Sequence, residues 1–357
     1  MTSGPTACVR RFPDNLFNCL AAACLSVIAC MMFGEPMLAA EPTDRMSDPA
    51  PGKLVVMTWN VEWMFDHDNL DNRSELSRAQ SAPSAEYWQW KVTAVADAIA
   101  ASDAAIVALQ EIEGPQTLAD IIKILREKHR LTYRSAFVQG SDSFTEQDVG
   151  LLQRTGMTQF RRHEQSKTMF DSQQFYNVSK HLVAEFQWKA VGSPLTIMNM
   201  HLRATADAEV ERGRQARLAR FWLEPQLTAG QDVIFLGDLN SEHPVPEIAN
   251  EIEQLINGTT AESPKMIDLL AYAANDARRT HLVLDKQFDR IIVSPSMMAD
   301  DPGSRDWVFN TIVVRPELVI RGAGPDGPEH WDKRLTMPVE ELDVSDHFPV
   351  IATFDLK

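Results

Sequence analysis

Between residues 132 and 200 the chain offers five strand candidates in succession, 132–138, 149–154, 158–162, 180–188 and 194–200, with no helical stretch between them. Parallel strands need a long crossover between neighbours, usually a helix, so this run excludes a doubly wound parallel domain. Elsewhere the two patterns alternate. Residues 53–61, 104–111, 232–236, 288–293, 309–320 and 350–354 read as strands, and 88–101, 116–129, 207–224, 246–257 and a short 266–273 as helices. The mixture predicts an α/β (α+β) four-layer sandwich, with two mixed β-sheets packed face to face and helices outside. Residues 66–86 read as a loop or short helical insertion, and 298–338 as a loop elaboration at the mouth of a site.

The first 40 residues stand apart. Arg10 and Arg11 precede a nearly uncharged apolar run at 16–33, and Met37-Leu38-Ala39-Ala40 supplies small residues before Glu41. That layout predicts a signal peptide over 1–40, cleaved near Ala40, then a flexible junction over 41–52 and one catalytic domain over 53–357. The expectation is an exported protein, periplasmic or secreted. A retained anchor is the alternative, against which the short apolar run counts. Lipid processing at Val27-Ile28-Ala29-Cys30 is another, against which the apolar Met31-Met32-Phe33 counts. All four cysteines, Cys8, Cys19, Cys24 and Cys30, lie within this leader. The mature chain is expected to be a monomer without a membrane span.

The formal net charge of −16 sets a bound on partners, and the leader adds nothing to it because Arg10 and Arg11 cancel Asp14 and Glu35. Polyphosphate chains repel such a protein at long range, which argues against a tight or processive duplex binder without excluding hydrolysis of nucleic acid.

Five strand ends carry polar chemistry: Asn60, Glu111, His201, Asp238 with Asn240, and Asp346 with His347. An isolated buried carboxylate is costly, so apolar runs that repeatedly end in Asp, Glu, Asn or His imply ends that converge and satisfy one another. Carboxylate and amide oxygens suit hard divalent ions, and such ions commonly serve phosphate chemistry. On an extended segment Asp238 and Asn240 point the same way.

Six strings turn that expectation into a resemblance. Thr58-Trp59-Asn60-Val61-Glu62, Leu109-Gln110-Glu111-Ile112, Met200-His201-Leu202, Gly237-Asp238-Leu239-Asn240-Ser241, Phe288-Asp289-Arg290-Ile291 and Ser345-Asp346-His347-Phe348-Pro349-Val350 follow one another in order. The chain resembles the endonuclease/exonuclease/phosphatase superfamily over about 53–357, in its nuclease-like or sphingomyelinase-like branch. The resemblance implies a metal-dependent phosphoric ester hydrolase. Glu111, Asn60 and, from the far side, Asp346 would hold Mg²⁺ or Mn²⁺, with Ca²⁺ a third option. Asp238 would orient or deprotonate the attacking water, and Asn240 would bind a phosphate oxygen. His347, held by Asp289, would contact the phosphate, and His201 would stabilise the transition state or protonate the leaving oxygen.

Around these lie weaker candidates. Arg203 is a candidate substrate-binding cation, while Arg214 and Gln215 read better as braces for the loop carrying His201. His243 and His281 stay undecided between pocket and loop. Trp59, Trp63, Trp88 and Trp90 read as core rather than base-stacking residues, and Trp307 and Trp331 as candidates for substrate or membrane contact. The substrate expected is a phosphodiester in extracellular nucleic acid. Phospholipid or sphingomyelin is the alternative, and an inositol-phosphatase-like monoesterase or an inactive binding module are further ones.

Overall fold

The protein is described by a computed structural model over residues 51–357, apart from 69, 190, 242–249 and 259. The leader, most of the junction and His243 lie outside the described residues. The described residues form one compact unit.

Its strands in chain order are β1 (Lys53–Met64), β2 (Ile106–Ile112), β3 (Arg134–Phe137), β4 (Asp148–Gln153), β5 (Met157–Arg161), β6 (His181–Phe186), β7 (Leu195–His201), β8 (Asp232–Asp238), β9 (Ile267–Asp268), β10 (Asp289–Val293), β11 (Trp307–Val314) and β12 (Val350–Leu356). The helices are α1 (Glu75–Gln80), α2 (Ala85–Ser102), α3 (Pro115–His129), α4 (Lys167–Asp171), α5 (Glu209–Thr228), α6 (Asn250–Asn257) and α7 (Glu329–Lys333). One sheet has the order β11-β12-β1-β2-β4-β3 and the other β5-β6-β7-β8-β10-β9. Each sheet is mixed, with a single parallel pair, β1–β2 in the first and β7–β8 in the second.

Alternation along β8 shows why the layers form. Ile234 and Leu236 pack in the core shared with the first sheet, whereas Val233 and Phe235 face the outer cluster with Ala216, Leu218, Ala219 and Trp222 of α5. Below the site the two sheets are tied by a polar bridge. Gln110 Nε2 donates to Asn199 Oδ1 at 2.7 Å, and Asn199 Nδ2 donates to the carbonyls of Leu109 and Gly150 at 3.0 and 2.8 Å. A buried network with these partners fixes one arrangement of the sheets. Both parallel pairs point their C-terminal ends to the same rim, which is where ligands collect on such strands.

Several sequence expectations need correction. Residues 266–273 are not a helix: Ile267 and Asp268 pair with β10, and Asp268 then caps a 3-10 turn over Leu269–Tyr272 by accepting from Leu270 N at 3.0 Å. The strand expected over 309–320 stops at Val314, because the extended chain gives way to a 3-10 turn opened by Pro316. The 66–86 stretch does hold a short helical insertion, α1, capped by Ser74, but its last two residues belong to α2, which starts at Ala85 under the cap of Ser84. Residues 298–338 contain α7 as well as β11.

Candidate active site

Gly237 allows the site to form. Its φ is 136°, and a Cβ there would lie 1.9 Å from the carbonyl oxygen of Met200 on the neighbouring β7. Only glycine lets β7 and β8 approach at this point, and the next residue on each strand is a candidate site residue: His201 pairs with Asp238.

Glu111 departs from strand alternation. Gln110 points between the sheets, so its neighbour should face outward, yet Glu111 has φ 62° at a register shift in β2 and turns its carboxylate to the same rim. There Asn60 Nδ2 donates to Glu111 Oε1 at 3.1 Å and to Asp238 Oδ2 at 2.9 Å, and Trp63 N donates to Glu111 Oε2 at 3.0 Å. Asn240, with φ 48°, gives its backbone N–H to Asp238 Oδ1 at 2.8 Å and its amide to Leu202 O at 3.1 Å. One of its two amide hydrogens is thereby committed.

Two histidines flank Asp238. His201 Nε2 lies 3.5 Å from Asp238 Oδ2 and 3.9 Å from Glu111 Oε1, and neither ring nitrogen of this buried side chain has a hydrogen-bond partner among the described residues. On the other side His347 Nε2 is 3.8 Å from the same Oδ2 and 3.9 Å from Asp346 Oδ1, while its Nδ1 is 2.8 Å from Asp289 Oδ2. Ser345 Oγ donates to Asn60 O at 2.8 Å, and Trp59 Nε1 to His347 O at 2.9 Å, which ties the chain end of the motif series to its beginning.

Burial and charge set the protonation states. Burial, with Lys180 nearby, lowers His201 to about 3, so it is a neutral imidazole at neutral pH. Burial also works against the charge on His347, but Asp289, Asp238 and Asp346 overcome it and raise its pKa well above the ordinary value. Asp238 is buried too, yet His347 and His201 hold its carboxyl below the usual range. Glu111 is pushed up by burial, and Asp346 to about 6 by burial with Glu62 beside it.

Among the described residues, three groups of side chains bring their ligand atoms within 4.8 Å of one another: Glu111 with His201 and Asp238, Asp238 with Asp289 and His347, and Asp346 with His281 and His347. Asn60 therefore joins Glu111 directly, whereas Asp346 belongs to a neighbouring group. Glu111, its carboxyl raised by burial, with Asp238 and the unpartnered Nε2 of buried His201 beside it, forms a donor set that a divalent cation fits.

A family model described as "Endonuclease/Exonuclease/phosphatase family" matches residues 57–347. The chain belongs to this family. Among curated proteins none matches it. Solved structures share the fold. The human Nocturnin catalytic domain with bound sulfate has 13% identity and a TM-score of 0.53, covering 86% of this chain and 94% of that one. An endonuclease/exonuclease/phosphatase from Bacteroides vulgatus has 17% identity and a TM-score of 0.53, covering 86% and 100%. TDP2 from D. rerio, complexed with a single-strand DNA product, has 17% identity and a TM-score of 0.50, covering 85% and 100%. Membership and the clustered His and Asp side chains together mark the rim as the candidate site of a metal-dependent phosphoesterase.

Other sequence candidates settle differently. Arg203 is exposed, reaching Tyr176 OH at 3.4 Å, while its backbone N–H is held by Gln215 Oε1 at 2.9 Å. Gln215 braces that loop as expected; its companion is Arg212, which donates to Arg203 O and Thr205 O, and Arg214 instead reaches Gln173 and Phe175. Trp307 is buried edge-on against Trp188 and offers nothing to a substrate, whereas Trp331 is 43% exposed.

Sequence reading missed a second layer. Glu62 accepts from His330 Nε2 at 2.8 Å and Arg334 Nε at 3.0 Å, and Asp326 Oδ2 is 2.8 Å from His330 Nδ1. This buried chain clamps α7 to the rim. The spacing of Asp326 and His330 was its one available signal. Among the described residues no helix is long and apolar enough to cross a membrane.

Proposed function

We propose that the protein is an exported, divalent-metal-dependent phosphodiesterase acting on extracellular nucleic acid. The observation that carries it is Asp238, an ionised buried carboxylate held between a neutral histidine and a charged one, with Asn60 joining it to Glu111.

Glu111, Asn60 and Asp346 would hold Mg²⁺ or Mn²⁺, which supplies charge neutralisation at the phosphate oxygens. Asp238 accepts a hydrogen bond from the attacking water, and takes its proton as the water oxygen bonds to phosphorus and the P–O bond to the leaving group breaks. The geometry leaves its Oδ2 on the rim, while Asn240 N holds Oδ1. Charge gathers on the phosphoryl oxygens as this happens. The imidazolium of His347 meets that charge with Nε2–H, and Asn240 with its uncommitted amide hydrogen. His201 is neutral, so it donates an N–H hydrogen bond to the leaving oxygen, which departs as an alkoxide and takes its proton from solvent, while Asp238 gives back to solvent the proton it took.

Placement outside the cytoplasm rests on the leader, and the choice of nucleic acid on that placement together with His201. The TDP2 structure with a single-strand DNA product supports the substrate class as an example within the fold. Parallel incubation with single-stranded DNA, RNA, sphingomyelin vesicles and inositol polyphosphates in Mg²⁺ tests it. Cleavage of DNA or RNA is expected, and turnover confined to the lipid or the inositol phosphates would overturn it.

A further inference from the structure

Asp346 presents its two oxygens to different surroundings. Trp331 Nε1 donates to Oδ2 at 2.8 Å, and His281 Nε2 lies 3.7 Å from the same oxygen, while Oδ1 faces His347 Nε2 at 3.9 Å. Both arms close on Oδ2, and Oδ1 is left toward the centre of the site.

The histidine arm has a fixed tautomer. His281 Nδ1 accepts from the backbone N–H groups of Val283 at 3.1 Å and Leu284 at 3.0 Å. A ring nitrogen that accepts carries no proton, so the neutral imidazole has its hydrogen on Nε2, the atom facing Asp346. His281 therefore turns an N–H, and not a lone pair, toward the carboxylate, and is not an ion ligand. At 3.7 Å its contact is electrostatic and longer than a hydrogen bond. The ring is 3% exposed and cannot swing away, because Leu282 N donates to Asp346 O at 2.6 Å and Phe348 N to Thr280 O at 2.7 Å.

The tryptophan arm comes from α7, whose next and previous anchor points, Arg334 and His330, are both fastened to Glu62. Trp331 is itself 43% exposed, so its indole does not owe its position to core packing. Indole N–H is a donor only.

We propose that Trp331 and His281 are positioning residues that pin Oδ2 of Asp346 and thereby aim Oδ1 at the divalent cation. Outer partners of this kind orient ligands and set affinity. The proposal rests on the metal-dependent reading of the site, and its test separates the two.

The test is Mn²⁺ titration of the full chain, followed by the electron paramagnetic resonance signal of free Mn²⁺. Trp331→Phe keeps the ring and removes the N–H; it is expected to weaken Mn²⁺ binding about tenfold, the lower end of the usual effect of losing such a partner. His281→Leu, which loses the longer contact, is expected to weaken it about threefold, and His281→Gln, which keeps a donor near Nε2, to restore most of that. In an Asp346→Asn background Trp331→Phe should have no further effect, a result that loss of general packing would not give. Wild-type Mn²⁺ affinity in Trp331→Phe, or an undiminished effect in the Asp346→Asn background, would overturn the proposal alone. Trp331→Phe decides the matter if His281→Leu fails to fold. A wild-type protein that binds no Mn²⁺ would overturn the metal-dependent reading and the proposal with it.

Discussion

His347 Nδ1 and Asp289 Oδ2 lie 2.8 Å apart in a buried pair, and the opposite nitrogen of the same ring faces Asp238 and Asp346. The pair sets both the charge and the aim of the imidazolium. Asp289→Asn removes the carboxylate that holds the ring charged. Activity on a small phosphodiester is expected to fall about 10²- to 10⁴-fold, and the His347 pKa, followed by NMR, to move down toward the ordinary histidine value.

Glu111 holds a left-handed conformation at φ 62° to bring its carboxylate to the rim. Replacing it by Gly or by Ala deletes the same carboxylate but leaves different backbone strain. Urea unfolding is expected to find Glu111→Gly more stable than Glu111→Ala by about 1 kcal/mol, with both inactive. Equal stabilities would mean that the strain is not stored there.

Gly237→Ala places a methyl group against a backbone carbonyl that belongs to the neighbouring strand, 1.9 Å from the Met200 oxygen, at φ 136°. A loss of about 2–4 kcal/mol of stability is expected from combined overpacking and backbone strain. Activity in the folded fraction should fall too, because β7 and β8 must separate at His201 and Asp238. The checks are urea midpoints and activity per folded molecule.

Burial opposes the charge on His330, but Glu62 and Asp326 overcome it and raise its pKa to about 9. A raised histidine stabilises fully below its unfolded value of 6.5 and loses that contribution as pH rises through about 9. Glu62, lowered to about 2 against burial by Arg334 and His330, is ionised throughout this window. His330→Gln is thus expected to cost about 3 kcal/mol near pH 6, with the gap to wild type closing above pH 9. Thermal melts across pH 5.5–10 check this.

The paired sheets and the rim were legible because their signals are local. An apolar run that stops at Asn60, Glu111, His201 or Asp238 announces a strand and the polar end that joins the rim within a few residues. The twist at Glu111 was not legible, since alternation from Gln110 assigns it to the outer face; a left-handed residue is fixed by contacts from Asn60 and Trp63 rather than by its neighbours. The partners of His281 and His330 were out of reach for a related reason. Asp346 and Glu62 lie 65 and 268 residues away in sequence, and no periodicity links them. The short β9 was misread because Ile267, Leu269 and Leu270 suit a helix as well as a strand followed by a turn.

The most direct measurement is hydrolysis of bis(p-nitrophenyl) phosphate by the purified full chain, with Mg²⁺ or Mn²⁺, with chelator, and with Asp238→Ala. Turnover is expected with either cation, lost on chelation and restored by adding the metal back, and lost in Asp238→Ala. No turnover with either ion, or turnover that survives both the chelator and the substitution, would contradict a metal-dependent phosphodiesterase centred on Asp238.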